Sequence, residues 1–243
     1  MANAGPSFER VDHGVKARAL RLAGVDCIEA VLGATDEEAK ENAPLPLVVS
    51  FHGRTDRPRT PGRLGSLPPR RWVFPAGPDE DGDGFAWLPH SLTGLPNVEA
   101  AIAGALPGRV AAVATFLEAL TETRPTLGPP LVTGFSQGGV MALSLAILAP
   151  ERVAAAIAVA AWFPPGLLPE RKAPRPRIQA MHGTADPVVP FAPMRALVPR
   201  LRALGHAVDW LELDGVTHDS GPVTYRPTRR WIESWVRAQT ASR

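Results

Sequence analysis

Three residue types that cooperate in covalent catalysis stand in this chain in the order Ser136, Asp186, His218. A serine hydroxyl is a weak nucleophile at neutral pH and needs a base to take its proton. Histidine suits that role because its ordinary pKa lies near neutrality. A carboxylate behind the ring fixes its tautomer and stabilises the imidazolium. Ser136 sits within Leu131-Val-Thr-Gly134-Phe-Ser136-Gln-Gly138-Gly139. Glycines two positions before and after a serine, at the joint of a strand and a helix, make the pattern of a nucleophile elbow. The need is steric: a sharp turn leaves no room for side chains there, and glycine has none. The N-terminus of the following helix favours negative charge developing beside the hydroxyl.

Each role has competitors. Of the six histidines, His13 and His90 lie in segments without clear periodicity, and His206 precedes a strand. His52 and His182 occur in His-Gly pairs, where a supporting role is the more natural expectation. Asp214 and Asp219 stand so close to His218 in sequence that neither easily reaches behind its ring, so Asp186 is expected to orient it. A tetrahedral intermediate also needs two N–H donors for its oxyanion. One comes from the residue after the nucleophile, here Gln137. The other comes from a loop after an earlier strand, and His52-Gly53-Arg54 offers the Arg54 N–H. Phe135, Trp162, Phe163 and Trp87 are candidates for the walls of an acyl or aryl pocket, although core packing accounts equally well for Phe135. Arg54, Arg57, Arg59 and Arg63 are expected on a solvated loop rather than around an anionic substrate.

The elements that must position these residues alternate along the chain. Residues 1–43 are hard to read, apart from an expected antiparallel hairpin of 15–22 with 27–32 through Gly24. Leu45 to Phe51 reads as a buried strand, and residues 54–71, dense in proline, glycine and arginine, as a loop. A short strand is expected over 71–74, then an acidic, turn-rich insertion over 79–84. Residues 98–106 and 109–120 have helical spacing, with Pro107-Gly108 breaking or kinking the run. Strands are expected over 131–135, 153–160, 177–181 and 207–213, and helices from Gln137 to near Pro150, over 191–204 and over 225–238. The last carries Trp231, Ile232, Trp235 and Val236 on a core face. Such alternation predicts an α/β fold: a doubly wound, mostly parallel sheet with helices on both faces, in a single domain of residues 1–243. Function in such sheets collects at the carboxyl ends of the strands. His52, Ser136, Trp162, Asp186 and His218 each follow a predicted strand.

Composition narrows the rest. A hydrophobic share of 45% in 243 residues supplies a sizeable core, and a net charge of +2 makes no case for nucleic acid or a charged membrane surface. Cys27 is the single cysteine, which excludes an internal disulfide and a cysteine metal site. Met1 to Val15 lacks the apolar core of a signal peptide, and the apolar runs 140–149 and 153–163 are too short to span a bilayer. A cytoplasmic protein without membrane insertion is expected.

The blocks His52-Gly53…Asp56, Gly134-Phe-Ser-Gln-Gly-Gly139, His182-Gly…Asp186-Pro-Val-Val-Pro190 and His218 resemble the phospholipase/carboxylesterase branch of the α/β-hydrolases. That branch includes bacterial carboxylesterases and acyl-protein thioesterases, and the resemblance runs from about residue 45 to the C-terminus. It implies a serine hydrolase, without cofactor or metal, that cleaves small-molecule esters or thioesters. Ser136, Asp186 and His218 would form the triad, and the Arg54 and Gln137 N–H groups the oxyanion hole. Two departures stand out. Thr55 replaces the second glycine of the H-G-x-G-D block, and residues 57–87 match poorly beyond Pro75 and Trp87, which leaves the substrate open. A dienelactone-hydrolase-like enzyme would carry cysteine at the elbow, far from Cys27. A peptidase, a non-catalytic ligand-binding protein on the same fold and an interaction protein are the remaining alternatives, and a mere binder has no reason to retain all three triad residues.

Overall fold

The computed structural model describes residues 9–11, 15–33, 43–59, 68–89, 97–170 and 175–241. Among the described residues, nine strands form one sheet in the order β1-β2-β3-β5-β4-β8-β9-β10-β11. They are β1 (Glu9–Val11), β2 (Val15–Leu22), β3 (Val25–Leu32), β4 (Leu47–Phe51), β5 (Arg70–Pro75), β8 (Leu131–Phe135), β9 (Ala155–Val159), β10 (Arg177–Gly183) and β11 (Val208–Leu213). The six strands from β5 to β11 are mutually parallel. β1, β2 and β3 add an antiparallel edge. The expected hairpin through Gly24 is therefore present. Gly24 adopts φ +79°, a conformation that a residue without Cβ takes at no steric cost.

Alternation along the strands assigns the two faces. Leu47 and Val49 of β4 and Ala156 and Ala158 of β9 join one core, with α1 (Val98–Thr123), α2 (Gln137–Leu148) and α3 (Phe191–Ala203). Val48, Ile157 and Val159 join the other, where α4 (Pro222–Ala241) brings Ile232 and Val236, with Trp231 and Trp235 packed alongside. Those four residues are core-facing, as their spacing predicts.

Two expectations change. Pro107 does not break the helix: α1 runs unbroken over 26 residues. Pro107 is exposed, so water can satisfy the carbonyl left without a partner one turn earlier. The resulting helix is long and apolar enough to cross a membrane by length and composition. However, Leu106, Val110, Val113, Phe116, Leu117 and Leu120 are built into the core. The acidic insertion is a small antiparallel hairpin, β6 (Asp79–Asp81) with β7 (Gly84–Ala86), outside the main sheet.

The strand order places a switch point beside the site. From β4 the chain moves to β5 on one side, then crosses through α1 to β8 on the other. Loops leaving the carboxyl ends of β4 and β8 diverge, and the crevice between them is the usual ligand position in an open α/β sheet.

Candidate active site

Ser136 occupies the turn between β8 and α2 with no intervening loop, at φ +55° and ψ −123°. Serine rarely adopts this left-handed backbone, and such strain persists only where the surroundings enforce it. The enforcement is visible. The Ser136 N–H donates to the Val159 carbonyl at 2.9 Å, and its carbonyl accepts from the Val140 N–H at 2.9 Å. A Cβ on Gly134 would collide with the Gly138 backbone, and one on Gly138 with the carbonyls of Phe51 and His52. Both elbow glycines are thus required by contact, as the spacing predicts.

Asp186 and His218 meet through two loops that are zipped together past the ends of β10 and β11. The Thr184 N–H donates to the Leu213 carbonyl at 3.0 Å, and the Ala185 N–H to the Val216 carbonyl at 3.1 Å. Gly183 lies so close to the Val216 carbonyl that no side chain fits there. His218 Nδ1–H donates to Asp186 Oδ2 at 2.8 Å. The other oxygen, Oδ1, accepts the Val188 and Val189 N–H groups at 2.8 and 2.9 Å. Burial opposes the charge on Asp186, but the His218 hydrogen bond and these two amides outweigh it and hold the carboxyl below its ordinary value. With Nδ1–H committed to the carboxylate, Nε2 is the nitrogen left to accept a proton.

The competing residues are engaged elsewhere. Asp214 accepts from the Thr184 hydroxyl at 3.4 Å, and Asp219 from the Gly221 N–H at 2.8 Å. His206 is buried and donates from Nδ1 to the Pro176 carbonyl at 2.8 Å. His182 lies 3.3 Å from Asp186 and donates to the Val189 carbonyl at 2.8 Å, which braces the loop that holds the carboxylate. His52 accepts the Gly77 N–H on Nε2 at 2.9 Å and donates from Nδ1 to the Gly53 carbonyl at 2.7 Å. His13, His90 and Arg63 lie outside the described residues.

Ser136, His218, Arg54 and Gln137 line one cavity of about 960 Å³. Phe135, Trp162 and Phe163 also line it, joined by Leu88, Ile102 and Leu197. The Phe135 ring lies against His218 with centroids 4.6 Å apart. Trp87 is a correction. Only 1% exposed, it packs edge-on against Phe51 at 5.0 Å and donates from its indole to the His52 carbonyl at 3.0 Å. It is core rather than pocket wall, because the backbone turns at 87–88 and presents Leu88 to the cavity instead. Ile102 and Leu197, absent from the sequence-based selection, reach it from α1 and α3, and no local pattern marks them.

The described part of the arginine loop, residues 54–59, is tied down by side-chain contacts. Arg54 Nε donates to Asp81 Oδ2 at 2.5 Å, Arg59 pairs with Asp56 at 3.0 Å, and Arg57 lies 6.0 Å above the Phe85 ring. Thr55, at the place where the resemblance expects glycine, keeps a glycine-like φ of +64°. Cys27 is buried and its thiol is pushed up to about 12, chiefly by that burial, so it stays protonated.

A family model described as phospholipase/carboxylesterase matches residues 105–236. A "probable carboxylesterase" of Oryza sativa subsp. japonica is 31% identical over 111 residues, which is 44% of this chain and 42% of that protein. The chain thus matches less than half the length of that curated relative. Among solved structures, esterase PE8 superposes with a TM-score of 0.69 at 23% identity, covering 88% of this chain and 99% of that one. A Mesorhizobium loti carboxylesterase gives a TM-score of 0.67 at 21% identity, covering 89% of this chain and 98% of the other. At these identities the two structures speak for the fold.

Proposed function

The chain belongs to the phospholipase/carboxylesterase family of the α/β-hydrolases, and from that premise we propose that it is a serine hydrolase that cleaves carboxylic esters or thioesters. The observation that carries the reading is the Asp186-oriented imidazole of His218 on the wall of the same cavity as Ser136, which is held at a strained elbow. His218 Nε2 takes the hydroxyl proton as Ser136 Oγ attacks the acyl carbon. The tetrahedral oxyanion is met by the N–H groups of Arg54 and Gln137. As the carbon–oxygen or carbon–sulfur bond breaks, the imidazolium returns its proton to the leaving group. Water, deprotonated by the same imidazole, then releases the acid from acyl-Ser136.

The cavity supports a small-molecule substrate with an apolar acyl portion, since Phe135, Val140, Trp162 and Leu197 are among the residues that line it. One domain and a cytoplasmic location are parts of the same reading, supported by the two shared cores and by the single buried cysteine. A non-catalytic binder has no use for an imidazole backed by a carboxylate.

The test uses a short p-nitrophenyl ester and a fluorophosphonate probe. Ser136→Ala is expected to lose at least about a thousandfold in kcat and all probe labelling while its melting temperature is kept. Near-normal hydrolysis by that variant overturns the assignment. Trp162→Ala is expected to shift the preferred acyl length on a graded ester series, and an unchanged profile relegates Trp162 to packing.

A further inference from the structure

The oxyanion hole proposed above draws its two donors from different strands. β4 and β8 are paired up to Phe51 and Gly134, and no ladder bond ties the chains beyond that point. The Arg54 N–H therefore lies in a loop three residues past the sheet, and the Gln137 N–H at the start of α2. A tetrahedral intermediate gains from the two donors only if their separation is fixed before reaction. Something other than the sheet must fix it.

We propose that the segment Ala76–Leu88 is a clamp that sets this separation, with Asp81 and the Gln137 side chain as positioning residues. The inference rests on the hydrolase reading, and four sets of contacts carry it. The Gly77 N–H and the Trp87 indole grip His52 through its ring and its carbonyl, at 2.9 and 3.0 Å. The Thr55 N–H donates to the Phe85 carbonyl at 2.9 Å and the Phe85 N–H to the Asp56 carbonyl at 3.0 Å, so the loop is laddered onto β7. The Arg54 guanidinium spans both oxygens of Asp81, with Nε at 2.5 Å and Nη2 at 3.5 Å. The Asp81 side chain is only 8% exposed and that of Arg54 33%, so the carboxylate end of the pair is shielded and its two-point contact is geometrically specific. On the other side, Gln137 Oε1 accepts the N–H groups of Trp87 and Leu88 at 2.9 and 3.4 Å.

One short segment thus holds both donor-bearing turns. Its packing leaves no slack, because a Cβ on Gly84 would collide with the Thr55 and Asp56 carbonyls and one on Gly77 with the Ala86 backbone. Neither Asp81 nor the Gln137 side chain touches the reacting atoms. Each acts through the backbone amide it holds in place.

Loosening a donor costs less than deleting one, whose loss is about a hundred- to thousandfold in kcat. Asp81→Asn and Gln137→Met are each expected to lower kcat about tenfold on the p-nitrophenyl ester with KM within about twofold. A trifluoromethyl ketone, whose serine adduct places an oxyanion in the hole, should lose affinity by the same factor. A merely structural role would not move these quantities together. Arg54→Gln should behave as Asp81→Asn does, and Arg54→Lys should recover most of the loss. Glu80→Gln removes the same charge from the exposed side of the hairpin and should leave both readouts unchanged. Should Asp81→Asn fail to fold, Arg54→Gln and Gln137→Met carry the test. Unchanged kcat and inhibitor affinity in the folded variants, or a loss confined to KM, overturns the clamp alone. A wild type that fluorophosphonate does not label overturns the hydrolase reading and the clamp with it.

Discussion

Asp186 and Glu29 are both buried carboxylates held below their ordinary pKa, yet their surroundings suit them to opposite tasks. Glu29 of β3 faces three guanidinium groups. Arg18 Nε donates to it at 2.7 Å, Arg124 Nε reaches both its oxygens at 3.2 Å, and Arg71 closes a still tighter contact. Burial alone would raise the Glu29 pKa, and Arg71, Arg18 and Arg124 together reverse that. Arginine does not release its proton in proteins, so no partner of Glu29 can hand a proton on, and the cluster can only bind strands together. Asp186 instead faces two backbone amides and the imidazole of His218, a side chain that can both accept and donate a proton. The number of partners does not separate a lock from a relay; what separates them is whether a partner can give up a proton. Position follows the same division: Glu29 ties the antiparallel edge to β5, and Asp186 stands at the carboxyl end of β10.

Isosteric amides should break the comparison most sharply. Asp186→Asn keeps the shape but no longer imposes the tautomer, so kcat is expected to fall about a thousand- to ten-thousandfold with a small change in melting temperature. A kcat within tenfold of wild type would remove Asp186 from the relay. Glu29→Gln should do the reverse. It strands the buried charges of Arg18 and Arg71, costing about 3–5 kcal/mol in a denaturant titration, while kcat of the folded fraction is unchanged. A loss of kcat without a loss of stability would contradict the distinction.

A smaller effect comes with pH. Both carboxyls are lowered on folding, so the stability they contribute is complete above the ordinary values of 3.8 for Asp186 and 4.5 for Glu29 and is lost as pH falls through the folded ones. Burial also pushes His52 and His206 down from 6.5, only partly countered by the Gly53 and Pro176 carbonyls. For them the unfolded chain takes up protons first, so stability is complete above about 6.5 and declines as pH drops below it. Denaturant midpoints should therefore fall in two stages, the histidine stage first. Glu29→Gln should flatten the second stage only, and a first stage that vanishes in that variant would overturn the assignment.

Much of the site was legible in the amino acids. The elbow is a local matter, with five consecutive residues whose steric demands can be read from their order, and the contacts of Gly134 and Gly138 meet that reading. The order Ser136, Asp186, His218 was legible because each residue follows a strand that the sequence marks, directly for Ser136 and after a short loop for Asp186 and His218. The same approach failed at Trp87 and Asp81. An aromatic near a strand end looks alike whether its ring faces a cavity or the core, and an aspartate in an acidic turn looks like solvent-facing charge. At Pro107 a local rule was overridden, because an exposed proline removes a hydrogen bond from the side of the helix where water replaces it.

By itself the sequence determined the periodicities, the turns and the chemical types available at each strand end, since these depend on neighbours within a few residues. The tertiary structure alone decided which aromatics face the cavity, that Ile102 and Leu197 join them, and that Asp81 reaches Arg54 from 27 residues away. Those outcomes turn on distances between segments remote in the chain. Such distances are set by strand order and by how each loop is tied to the next, which no local pattern of residues encodes.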